Sequence, residues 1–267
     1  MALWDWRCPV ALDTSAYDGS SPSETFDGTL ASVTGATLFN SINDNRFDTG
    51  LAYLAYWLDK AVTDWTNTHA TPPDSVDIVT HSTGGILARS YLQSAAYEDM
   101  YNGRQLPRVN NLVQAAVPNE GVIGTYNLLQ NDFSEKSASR VLGLTIGGAI
   151  KLLEDDPGTN FVTNPDGTTI TKAMLDAQED PEKWFIGEYV KTLYDLLPTY
   201  DNAFDDGGGL RPLKRVTAGI ENKLLLDLNT PTDASPLDPN SWIDLLDGKA
   251  TIVYSDQVET LELTRRH

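Results

Sequence analysis

The sequence predicts an α/β fold, a mostly parallel sheet flanked by helices with a helical cap inserted at about residues 121–212. Three observations predict it. Residues 76–85, VDIVTHSTGG, run from a buried-strand pattern through a tight turn into a helical pattern. Residues 109–117, VNNLVQAAV, then read as a second strand, and strand–helix–strand order implies a right-handed crossover and parallel pairing. After residue 121 the alternation stops for some ninety residues, too long for a crossover, so that stretch reads as a cap.

In chain order, residues 1–46 give a short apolar start and then a polar loop rich in Ser, Gly and Asp. Phe47, Leu51, Leu54, Leu58, Ala61 and Trp65 recur at spacings of three and four, an apolar stripe that predicts a helix over 47–66. Pro72-Pro73 ends that unit. Strand 76–80 and a helix over about 85–98 follow, with Leu87, Tyr91 and Ala95 on the face toward the sheet. Within the cap, the run VLGLTIGGAIKLL at 141–153 reads either as a buried cap helix or as a lid helix with an apolar underside, and the buried reading is the stronger. NPDG at 164–167 marks a turn, and helices are expected near 171–179 and 183–197. The loop DDGGGL at 205–210 lacks the alternating ligands of an EF-hand, so a solvated loop is expected there. A short helix at 240–247 and a strand at 250–254 close the pattern.

Composition sets the outer limits. A length of 267 residues suits one large α/β domain, here read as residues 1–267, and 40% hydrophobic residues suffice for a packed core. With 38 acidic against 19 basic residues and a net charge of −19, the chain lacks the basic footprint that nucleic acid requires. Docking on an anionic membrane through basic patches is disfavoured for the same reason. Cys8 is the only cysteine, so no internal disulfide is possible. His69, His81 and His267 are the only histidines, and their scatter gives no metal-ligand spacing; no metal and no cofactor are expected. MALWDWRCPV is not a signal-peptide apolar region. No stretch reaches the roughly 18 apolar residues of a membrane span.

Ser82 is the candidate of most consequence. A serine between a buried strand and a helix, with Gly84 and Gly85 behind it, sits where a strained turn lifts a hydroxyl clear of a sheet. The helix N-terminus that follows favours negative charge beside it. Sites of open α/β sheets lie at the carboxyl ends of strands, and both Ser82 and the PNEG loop at 118–121 fall there. The usual string is G-x-S-x-G, but Thr80 occupies its first position, where a side chain is expected to crowd the turn. A capping serine at an ordinary strand-to-helix turn is the alternative.

The segment VDIVTHSTGGILAR resembles the nucleophile region of the lecithin:cholesterol acyltransferase-like and related lipase families within the α/β-hydrolases. WDWR at 4–7, VQAAVPNEG at 113–121, LYDLLPTYD at 193–201 and VYSDQVET at 253–260 are similar to further segments of that group, in the same order. The resemblance implies an α/β-hydrolase fold, a serine acyl-enzyme mechanism and carboxylic or lipid ester substrates, with hydrolysis or acyl transfer as the outcome. It implies Ser82 as nucleophile and the Thr83 backbone N–H as an oxyanion donor. Asn119 stands where many lipases carry His. The family's early His-Gly strand and its late acid and histidine have no counterpart here, so the N- and C-terminal parts of the full domain are expected to be absent. Members are often secreted or membrane-facing.

A serine nucleophile needs a base and an orienting acid. His81 adjoins Ser82 on a tight turn, so its ring is expected to point away and to pack structurally. His69 is expected at the helix end, on the surface. His267 alone follows Ser82 in the order Ser, Asp, His, but as the last residue it also reads as a solvated tail. Asp256, after the final strand, is the matching acid candidate; Asp201, Asp205 and Asp206 read as solvated loop acids. The competing reading is a catalytically incomplete, hydrolase-like binding module or a fragment of a larger lipase or acyltransferase.

Overall fold

A computed structural model describes residues 2–11, 30–129, 131, 133, 137–155, 161–164, 167–199, 222–229, 246 and 249–253. Helix α1, Gly35–Asp44, opens on a capping box in which the Thr34 and Thr37 side chains each serve the other's backbone N–H. It buries Leu38 and Phe39 and ends in a left-handed residue, Asn45. This helix replaces the polar loop expected over that stretch. Its apolar positions, Leu38, Phe39 and Ile42, fit one helical face, but Gly35, Asn40 and Asn43 dilute the pattern.

Helix α2, Gly50–His69, is capped by the Thr49 side chain, which accepts from Ala52 N–H. Leu51, Leu54 and Leu58 enter the core, whereas Ala61 and Trp65 are exposed. The stripe read from sequence therefore overruns the buried surface by two turns. Strand β1, Ser75–His81, leads through Ser82 into α3, Thr83–Gln93. Gly85 through Leu92 are buried without interruption, so α3 is enclosed on all sides. It ends five residues earlier than expected, and Ala95, expected to face the sheet, is exposed. A small antiparallel hairpin, β2 (Met100–Tyr101) and β3 (Arg104–Gln105), leads to strand β4, Arg108–Ala115.

β4 is the centre of a three-stranded sheet in the order β1-β4-β7, where β7 is Ala250–Val253. Both pairings are parallel, as expected for an α/β chain with a strand–helix–strand unit. One sheet face, carrying Ile78, Leu112 and Gln114, lies on the core beneath α3. The alternate residues point the other way. On that second face Val79 is 77% exposed and Val253 53%.

The cap builds a second apolar core. It comprises α4 (Ile123–Leu129), α5 (Ser137–Asp155), the antiparallel hairpin β5 (Phe161–Thr163) and β6 (Thr169–Thr171), α6 (Lys172–Asp176), α7 (Pro181–Tyr189) and α8 (Thr192–Asp195). The hairpin was not expected; Gly167, at φ 85°, donates to the Asn164 carbonyl in its turn. The expected helix 183–197 is two helices, α7 and α8, broken at Val190. α5 buries Ile146 and Leu153 but leaves Leu144 78% and Leu152 50% exposed, so it is a cap helix with one seated and one bare apolar face. Helix α9, Lys223–Asn229, packs against α3 and α8.

Short backbone bonds lash cap to sheet. Lys191 N–H donates to Arg7 O, Val122 N–H to Leu196 O, and Thr199 N–H to Glu120 O. The buried Asp195 carboxylate accepts from Val10 N–H at 2.6 Å. The expected loop at 205–210 lies outside the described residues, as does all but Leu246 of the expected 240–247 helix. Among the described residues, no helix is long and apolar enough to cross a membrane.

Candidate active site

Ser82 follows the last residue of β1 and precedes the first of α3, and the backbone changes direction on that one residue. Its φ is 54° and ψ −134°, a region that non-glycine residues rarely enter. The Ser82 side chain makes no capping hydrogen bond to α3, which removes the alternative of an ordinary capping serine. The turn is held by its backbone: Ser82 N–H donates to Ala115 O at 3.0 Å, and Gly85 N–H to Ser82 O at 2.9 Å. Ser82, Thr83 and Gly84 are half-buried.

The two glycines differ in what they do. A Cβ on Gly85 would overlap Val117, so α3 approaches the β4 exit loop only because Gly85 is bare. A Cβ on Gly84 would meet Thr80 Cβ at 3.8 Å, an ordinary contact. The crowding expected from Thr80 is thus absent: its hydroxyl donates to Val113 O at 3.0 Å and its side chain has room. Thr83 is the first residue of α3, so its N–H has no acceptor within the helix. That N–H lies immediately beside Ser82, at the positive end of the helix dipole.

The loop after β4 runs alongside. Ala116, at φ 50°, donates its N–H to Val253 O at 2.9 Å, so the carboxyl ends of β1, β4 and β7 lie side by side. Gly121, at φ 86°, passes so close to Leu197 that a Cβ would strike its carbonyl.

Behind the turn lies a polar ring that the sequence reading missed. Arg89 is 3% exposed, and burial holds its guanidinium down to about 10, still charged at neutral pH. It donates to Asn119 Oδ1 at 2.8 Å and, through Nη2, to Leu228 O and Asn229 Oδ1, both at 2.9 Å. Asn119 Nδ2 donates to Gln114 Oε1 at 3.3 Å, and Gln114 Nε2 to Gly85 O at 3.3 Å. Asn229 Nδ2 donates to Asn119 O at 2.8 Å. The signal was present: an Arg within the apolar ILARSYL and a Gln inside a strand are polar residues at core positions.

The histidines divide. His81 is exposed, so the structural packing expected of it is corrected: the alternation of β1 turns its side chain to the open face of the sheet. His69 sits at the C-terminal end of α2, its ring stacked on Trp65 at 3.8 Å and its Nδ1 3.1 Å from Trp65 O. Asp256 and His267, like Asp201, Asp205 and Asp206, lie outside the described residues. Among the described residues no group of His, Cys, Asp and Glu is arranged to hold a metal. No protein-family model matches the chain, and no curated protein matches its sequence.

Proposed function

We propose that the chain is a serine hydrolase or acyltransferase of α/β-hydrolase type, acting on carboxylic esters, lipid esters in particular, with Ser82 as nucleophile. The observation that carries this reading is the backbone of Ser82, strained at φ 54° and ψ −134° at a strand's carboxyl end, with its side chain not used as a cap. Strain of this kind persists where function holds it and the surroundings over-determine it.

In the proposed reaction Ser82 Oγ bonds to the ester carbonyl carbon as its proton passes to a base. The carbonyl oxygen takes up negative charge, which the Thr83 N–H and the N-terminus of α3 stabilise. The tetrahedral centre collapses, the alcohol leaves with the proton, and the acyl group stays on Ser82. Water or a second alcohol then takes the acyl group, the two outcomes being hydrolysis and transfer. Asp256 and His267 are the acid and base candidates within the chain.

A second reading, a catalytically incomplete binding module of the same fold, is favoured by one observation. Neither His69 nor His81 hydrogen-bonds to Ser82, so neither described histidine is in place as base. Treatment with a fluorophosphonate probe separates the two. Labelling of the parent chain and not of Ser82→Ala is the result expected for the enzyme. A folded parent that resists the probe supports the binding module.

A further inference from the structure

We infer that Arg89, acting through Asn119 and Gln114, is the positioning residue that holds Ser82 in its strained conformation. The inference rests on the reading of Ser82 as nucleophile and adds to it the device that keeps the nucleophile presented.

The ring closes on itself. It leaves α3 at Arg89, crosses to Asn119 on the β4 exit loop, steps to Gln114 on β4 and returns to α3 at the Gly85 carbonyl. Gly85 is three residues past Ser82 and donates its N–H to the Ser82 carbonyl. Gln114 adjoins Ala115, whose carbonyl receives the Ser82 N–H. Thus one backbone hydrogen bond to Ser82 comes from a member of the ring and the other ends beside one. The Arg89 fork reaches α9 as well, at Leu228 and Asn229, so one guanidinium fixes three segments. Gln114 is fully buried and Arg89 nearly so.

Packing alone does not call for this arrangement. Burying a guanidinium is costly, and an aliphatic residue fills a core position at less cost. What the guanidinium adds is direction: several donors in a fixed plane, a geometry that a lysine ammonium cannot reproduce. Side chains on a helix lean toward its N-terminus, which carries the Arg89 head back toward the elbow.

The test uses the full chain and two readouts. Arg89→Lys keeps the charge and loses the fork; Asn229→Ala is a milder second variant should Arg89→Lys fold poorly. Leu38→Ala, at a buried position of α1 off the ring, serves as a control. The first readout is inactivation by a fluorophosphonate, resolved into labelled fraction and rate constant. Misplacement of the nucleophile should slow the rate constant by on the order of tenfold to a hundredfold in the folded fraction. The control should lower the labelled fraction and leave the rate constant alone. The second readout is amide hydrogen exchange at Ser82 and Gly85, which needs no activity. Both amides should lose protection in the ring variants and keep it in the control.

A parental rate constant with parental protection in the ring variants overturns the positioning role. If the parent itself resists the probe, exchange decides: lost protection upholds the positioning role while the nucleophile reading falls, and unchanged protection sinks both.

Discussion

Ser82 and Ala115 are joined by a 3.0 Å hydrogen bond from the serine amide to the alanine carbonyl, across the ends of two parallel strands. The residue with the strained backbone is therefore tied to its neighbour strand at its own peptide, and its side chain does not cap α3. Because the strain lies in the backbone, it outlasts removal of the hydroxyl. Ser82→Gly should be more stable than Ser82→Ala by about 1 kcal/mol, since glycine enters this region freely. Urea unfolding of the two variants checks the order; equal midpoints would show that residue 82 is unstrained.

Gly85→Ala should destabilise the chain by about 1–3 kcal/mol, because the new methyl falls on Val117 in a packed contact. Val117→Ala in the same chain should recover part of that loss. A double-mutant cycle in thermal unfolding reads the coupling.

Gly121→Ala meets two obstacles, a φ of 86° and the Leu197 carbonyl, which is backbone and cannot swing aside. A loss above about 2 kcal/mol is expected. The effect should centre on the cap attachment, so the amides of Val122 and Thr199 should exchange faster than those of β1. A uniform loss of protection would contradict this.

Acid should loosen the same attachment from the other end. Arg7 grips Asp5 through Nε at 3.0 Å and Nη2 at 2.6 Å, and also donates to Tyr189 at 3.2 Å. Burial by itself raises the Asp5 carboxyl, but the hydrogen bonds and charge of Arg7 outweigh it and hold the group below its ordinary value. A depressed carboxylate lends stability above its unfolded value of about 3.9, lost as pH falls through the lower folded value. Asp5→Asn should cost at most about 1 kcal/mol at neutral pH, the pair being partly exposed, and should flatten the fall in Tm below about pH 4.

A net charge of −19 makes stability depend on salt as well. Self-repulsion weakens the compact state, and salt shortens its reach from about 10 Å at 0.1 M to about 3 Å at 1 M. The urea midpoint should rise with sodium chloride over that range. A flat response would mean that the charges already lie too far apart to matter.

The elbow was legible because its signals are local: an apolar strand run, a serine and two glycines, all within ten residues. The parallel sheet followed from the order of two strands and one helix. Helix α1 escaped because its cap is a Thr-Thr pair and its polar residues break the stripe. The β5–β6 hairpin escaped because three-residue strands carry too little alternation to register. The Arg89 ring escaped for a different reason. Its members lie at positions 85, 89, 114, 119 and 229, and only the folded chain brings them together. Thr80 departs from the motif string, but the space around it depends on Gly84 across the turn.

Strand β1 carries the elbow at its end, yet among the described residues it pairs with β4 alone. Among the described residues no strand pairs with its other edge, and Val79 is exposed on the adjoining face. Such an edge is adhesive toward any extended chain, another copy of the same protein included. The surplus of carboxylates then gains a colloidal meaning: like charge keeps copies apart where geometry would let them stick. Salt that firms the individual molecule also removes that barrier, so long-term storage favours moderate ionic strength and low concentration.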